Sequence, residues 1–231
     1  MQPEAGNNKV MKNFALAMLV LFCVASNTFA FDRAWLGMSL GGGFAGTGKP
    51  GSNMFDGAYA HYDSAATGIF GGSFVGGLTL NIQVTKAIGL ATGLNYRFVS
   101  MSGNIYYKND SIEVSIIDHT INVPALLRFG FEGPNLGDFY ILEGGVQKEV
   151  LFSSSAKVSN KRLGIKDKYS NSDFREESDF EIVFGLGFGT EGHRFSFMLG
   201  VIIPTAKLDK YDGIPRPTVL KMDINFPLFG F

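Results

Sequence analysis

Apolar and polar residues alternate with a period of two along most of the chain, as in strands that show one face to an apolar phase and the other to a polar one. Leu36, Met38, Leu40 and Phe44 oppose Trp35, Gly37, Ser39 and Gly41. Phe70, Phe74, Leu78, Leu80, Ile82 and Val84 oppose Ser73, Thr79, Asn81 and Gln83. Ile88, Leu90, Leu94, Tyr96 and Phe98 oppose Gly89, Gly93, Asn95 and Arg97. The fourth segment sets Ile121, Val123, Ala125, Leu127 and Phe129 against Thr120, Asn122 and Arg128. The fifth sets Tyr140, Leu142, Gly144 and Val146 against Glu143 and Gln147, with Phe139 and Ile141 blurring the contrast. Phe180 to Phe188 on even positions face Glu181, Gly185 and Gly187. Phe195, Phe197, Leu199 and Val201 face Arg194, Ser196 and Gly200. Leu220, Met222, Ile224, Phe226 and Leu228 face Lys221, Asp223 and Asn225. Eight strands emerge, each long enough for the roughly 9–11 tilted residues that cross a bilayer.

Residues 64–85 pose the one helical alternative, since Gly68, Gly72 and Gly76 have the small-residue spacing of packed membrane helices. Their polar residues nonetheless fall on alternate positions, and so many glycines weaken a helix. The segment is therefore read as a strand.

The connections alternate as well. Those at 85–87, around Gly133-Pro134-Asn135 and at 190–193 are short; those at roughly 45–67, 100–111, 154–178 and 204–217 are long. In an up-and-down barrel successive connections lie at opposite rims, so short turns gather on one rim and long loops on the other. The fold class is all-β, an eight-stranded antiparallel up-and-down transmembrane β-barrel. Closure removes the sheet edges that lipid leaves unsatisfied.

Alternation alone does not say which face is wet. The polar face carries Arg97, Arg128, Glu143, Glu181, Arg194, Lys221 and Asp223. These suit a polar lumen, and equally the outer face of a soluble barrel. Aromatics near strand ends (Tyr96, Phe98, Phe129, Phe131, Tyr140, Phe226, Phe229) and the terminal Phe231 favour lipid outside, as interfacial girdles require. The final strand departs from pattern: its apolar series is even-numbered, whereas Phe229 and Phe231 are odd. A bulge at Pro227 would shift that register.

Composition sharpens this reading. Thirty glycines and 22 phenylalanines disfavour a helical bundle. A net charge of −1 gives no global reason to expect nucleic acid. Lys12, the apolar run Phe14 to Ala25 and Thr28-Phe29-Ala30 form a signal peptide over residues 1–30 that is cleaved after Ala30, with Met11 as a possible initiator. The single cysteine, Cys23, lies inside it, so disulfides and thiolate metal sites are not expected in the mature chain.

The run His119-Thr-Ile-Asn-Val-Pro-Ala-Leu-Leu-Arg-Phe129 resembles the "IPLLLKY" strand of the eight-stranded outer-membrane β-barrel domain proteins often called PorT-like, a porin-family group. Asp138-Phe-Tyr-Ile-Leu-Glu-Gly-Gly145 is similar to that family's next strand, and Phe184-Gly-Leu-Gly-Phe-Gly189 to its glycine-rich sixth. The resemblance implies fold and outer-membrane location; outer-membrane lipid, lipopolysaccharide-type glycolipid and the barrel-assembly machinery are the expected partners of a barrel in that place. It implies little about activity. Pro124, lacking an N–H, is expected at a bulge or near a rim.

Catalysis is not expected. His61, His119 and His193 are the only histidines. His193 and Ser196 have opposite strand parity, His119 beside Asp118 has no well-placed serine, and the His61-Tyr-Asp63 pair is a weak metal signal. Gly41 to Lys49 lacks the following helix and the Lys-Ser/Thr pair of a phosphate loop. No cofactor or metal is expected. An eight-stranded barrel is just wide enough for side chains to fill it, so the seven lumen charges form a candidate ion-pair network that closes the bore. The loop at 154–178 is the candidate surface for an extracellular ligand, through Lys157, Lys161, Arg162, Lys166, Lys168 and Arg175. Two functions are carried forward: a scaffold or surface-interaction barrel acting through its loops, and a small porin or conduit for small or apolar solutes.

Overall fold

The computed structural model describes residues 34–47, 65–66, 69–85, 87–107, 110–133, 139–160, 162, 164–170, 178–190, 195–205 and 216–230. The expected signal peptide lies outside these residues. The strands are β1 (Ala34–Gly46), β2 (Ala65–Ala66), β3 (Phe70–Gln83), β4 (Ile88–Tyr107), β5 (Asp110–Glu132), β6 (Phe139–Asn160), β7 (Ile165–Ser170), β8 (Ser178–Gly189), β9 (Ser196–Pro204) and β10 (Thr218–Gly230). Eight of them pair antiparallel in the order β1-β3-β4-β5-β6-β8-β9-β10, and β10 returns to β1 to close the ring. The short strands β2 and β7 add to β4 and β6 outside it.

The barrel is inside out relative to a soluble protein. Leu94, Phe129, Leu142, Phe184, Leu199 and Leu220 point outward and are among many exposed large apolar side chains. Asn81, Arg97, Asn122, Arg128, Glu143, Glu181 and Asp223 point inward and are buried. Such an apolar exterior around a closed ring matches hydrocarbon, and the fold is a transmembrane β-barrel. The blurred fifth segment resolves the same way: Phe139 and Ile141 face inward and pack with Met198 at the short-turn end.

Two of the long connections are largely strand. β4 and β5 continue as one ladder to Tyr107↔Asp110, so the expected loop at 100–111 is a hairpin. β6 runs to Asn160 and β7 folds back on it through Asn160↔Ile165, which turns much of the 154–178 segment into a second hairpin. β4, β5 and β6 are 20, 23 and 22 residues long, roughly twice what a bilayer requires. The wall formed by these strands therefore stands well clear of the membrane on the long-loop side.

Two irregularities aim side chains. Between β5 and β6 the register moves from His119↔Ser153 to Thr120↔Leu151, leaving Phe152 bulged and 74% exposed. Inward residues on β6 accordingly switch from odd (Glu149) to even (Ser154). Between β10 and β1 the register moves from Pro227↔Gly37 to Phe229↔Leu36. The bulged residue is Leu228, next to Pro227, and it returns Phe229 to the outward face, 65% exposed. Phe231 lies outside the described residues. Pro124 occupies neither a bulge nor a rim. It sits within β5, where the bridges Gly93–Pro124 and Leu94–Val123 are absent but Thr92–Ala125 and Asn95–Asn122 keep the same register. A single missing donor accounts for both gaps, because proline has no N–H to offer the Gly93 carbonyl.

Candidate functional site

The lumen is layered. Phe139, Ile141 and Met198 form an apolar floor at the short-turn end, the end at which Trp35 is also buried. Two ionic tiers lie above it. Over these, on the long-loop side, Ile69, Val99, Met101, Ile112, Val114, Ile116, Ala156 and Val158 form an apolar cap.

In the lower tier, Arg128 and Glu143 are cross-strand partners on β5 and β6. Arg128 donates from Nε to the Glu143 carboxylate at 2.8 Å and from Nη1 to Asn81 Oδ1 at 2.7 Å. Its Nη2 lies 2.7 Å from the same carboxylate. Lys221, on β10, reaches Asp223 at 2.7 Å and spans the bore to Glu143 on β6 at 3.4 Å. In the upper tier, Arg97 on β4 crosses the bore to β8 and grips Glu181 with both Nη atoms, at 3.0 and 2.8 Å. Two parallel donors on one carboxylate form the strongest ion-pair geometry available to arginine. Arg97 also lies 3.2 Å from Glu149, which in turn meets Arg216 at 3.2 Å, and Arg216 is 3.6 Å from Asp179. Gln147 donates to Glu181.

Glycine makes this crowding possible. A Cβ on Gly41 would collide with the Asp223 carboxylate and the Met222 carbonyl, and one on Gly200 would lie 3.0 Å from Lys221 Cε. Part of the glycine excess thus lines the inner wall, where it gives the long charged side chains room to cross. Between the tiers remains a space of about 40 Å³, enough for roughly two or three waters. Asn95 Oδ1, Asn122 Oδ1, Asp223 Oδ1 and Arg97 Nε have no hydrogen-bond partner among the described residues and belong to residues that line it.

Six of the seven lumen charges read from the sequence thus point inward and are ion-paired, while Arg194 lies outside the described residues. Sequence reasoning missed Glu149, Asp179 and Arg216. The first two share the odd parity of Glu143 and Glu181 on their own strands, so extending the alternation by one step finds them. Arg216 precedes its strand and carries no such signal.

Of the loop cations, Lys157, Arg162, Lys166 and Lys168 are exposed, and Lys161 and Arg175 lie outside the described residues. His61 and His193 do as well. His119 faces outward in the outer aromatic girdle, hydrogen-bonded to the Tyr96 hydroxyl at 2.6 Å and 5.2 Å from the Phe98 ring. Its neighbour Asp118 faces inward and accepts from the Ser154 hydroxyl. The serine and the histidine thus lie on opposite sides of the wall.

No protein-family model and no curated protein matches the chain. Among solved structures it is similar to Ail, the attachment invasion locus protein of Yersinia pestis, at 13% identity and a TM-score of 0.40, over 84% of this chain and 99% of that one. Neisserial surface protein A is similar at 9% identity and a TM-score of 0.37, over 84% and 99% of the two chains. The outer membrane protein OprG of Pseudomonas aeruginosa is similar at 15% identity and a TM-score of 0.37, over 84% and 97%.

Proposed function

We propose that the chain is a non-conducting, non-enzymatic outer-membrane barrel that serves as a scaffold and acts at the cell surface through the hairpins raised above the bilayer. The observation that carries this reading is the filled bore. Arg97–Glu181 and Lys221–Glu143 both span it, leaving about 40 Å³ between the tiers. A hydrated ion needs a continuous wet path, and both the ionic tiers and the apolar cap above them interrupt one. The surface role rests on where strand is spent: β4 to β7 build a wall beyond the membrane whose outward face is polar, with Ser102, Asn104, Glu113, Lys157, Lys166 and Lys168 exposed. Export through the signal peptide of residues 1–30, cleavage after Ala30 and delivery to the barrel-assembly machinery belong to the same reading.

Purified mature protein, shown to be folded by its faster migration in unheated SDS gels, tests it in planar bilayers. The expected trace is free of unitary steps. Large, reproducible steps would establish the conduit instead.

A further inference from the structure

Beyond the outer girdle, the outward face of β5, β6 and β7 gathers Glu113, Ser115, Lys157, Ser159, Lys166 and Lys168 around a recess of about 310 Å³. The register sets them in two rows across the three strands. Ser115, Lys157 and Lys168 are successive cross-strand partners, as are Glu113, Ser159 and Lys166. All three lysines are exposed, and none forms an ion pair among the described residues.

Lys157 directly opposite Lys168 is a costly arrangement, because like charges facing each other across strands repel and weaken the sheet. Solubility alone is served as well by alternating signs. Here three ammonium groups share a concavity with one carboxylate and two serine hydroxyls, so the recess carries a net charge of about +2. An anion seated between the lysines removes the repulsion, and the hydroxyls donate to its oxygens. The volume is at the lower end of small-molecule sites, so it suits a sugar-sized group better than an extended protein surface. Lys157 lies about five residues beyond Phe152 along β6, on the order of 13 Å above the girdle after strand tilt. That is too far for a glycerophospholipid headgroup.

We infer that this recess binds clustered phosphate or sulfate groups carried on a sugar. The inference rests on the surface-acting reading above and names its ligand chemistry. Two sources present that chemistry: the phosphorylated core of lipopolysaccharide in the same membrane, and a sulfated glycan outside the cell.

The test uses the full mature protein in nanodiscs, with calorimetry against a heparin octasaccharide and against deacylated, phosphorylated lipopolysaccharide core. The desulfated and dephosphorylated forms serve as controls. Lys157→Ser with Lys168→Ser should weaken binding at least ten-fold, the corresponding double arginine variant should keep it, and Glu113→Gln should tighten it two- to three-fold. The probe that binds identifies the source. Equal affinity of parent and double-serine protein, both still heat-modifiable on gels, overturns the inference, as does equal binding of the stripped probes. Loss of a cell-surface phenotype on deleting residues 162–168, with neither probe bound, sinks the anion chemistry and leaves the surface role standing. Single-channel steps overturn the non-conducting reading without touching the binding result.

Discussion

Replacing Glu143 by alanine gives the most direct measure of what the lumen network does. Its carboxylate holds Arg128 at 2.7–2.8 Å and Lys221 at 3.4 Å. Lys221 keeps Asp223 at 2.7 Å and loses little. Among the described residues Arg128, 4% exposed, then keeps only the neutral amide of Asn81. Removing one partner of a buried pair costs about 3–5 kcal/mol, because the remaining charge stays desolvated. Here the value belongs at about 3 kcal/mol, since Arg128 borders the 40 Å³ space where water can reach it. The double variant Arg128→Met with Glu143→Met removes both charges and leaves Lys221–Asp223 intact, so it should fall within about 1–2 kcal/mol of the parent. The chain supplies its own reporter: Trp35 is its only tryptophan and is 3% exposed inside the same lumen. Urea unfolding in lipid vesicles, followed by the red shift of its emission, yields both values. A Glu143→Ala loss below about 1 kcal/mol, or a double variant as unstable as the single, would refute the claim that paired charges hold the bore shut.

Three further outcomes are expected. Gly41→Ala should lower the folded fraction on unheated gels, because its Cβ meets the Asp223 carboxylate, while Gly72→Ala, outward with its nearest neighbour at 3.8 Å, should leave it unchanged. Pro124→Ala should return one N–H to the wall, and amide exchange by NMR should find residue 124 protected by the Gly93 carbonyl. Phe184→Arg, outward on a spanning strand, should cost about 2–4 kcal/mol in vesicles, whereas Ser102→Arg, outward on the raised wall, should change stability by less than about 0.5 kcal/mol.

The barrel was legible because hydrocarbon and lumen impose a period of two that residue type alone reveals. All eight ring strands and their facing follow from it, as do the six described lumen charges. The irregular places were less so. Pro227 signalled a bulge, yet only the pairing of Phe229 with Leu36 identifies Leu228 as the extra residue. The bulge at Phe152 has no proline or glycine to announce it. Pro124 follows the opposite course, since a residue that disrupts central strands is tolerated here at the loss of one hydrogen bond, with no change of register.

The hairpins were missed for a more instructive reason. On β4 the outward residues run Leu94, Tyr96, Phe98 and then Ser100, Ser102, Asn104, while the inward ones run Asn95, Arg97 and then Val99, Met101. β5 mirrors this, with Thr120 and Asn122 inward in the membrane and Ile112, Val114 and Ile116 inward above it. The alternation never stops; its sense inverts. Below Phe98 the strand meets lipid outside and a polar, ion-paired lumen inside, and above it the strand meets water outside and must bury its apolar residues within. A pattern followed as apolar-outward therefore ends at residue 99 and is taken for a loop. The inversion marks where the solvent changes. It puts the bilayer boundary at Phe98, His119 and Phe152, and it requires the raised wall to be packed like a soluble sheet while the segment below is packed like a membrane one.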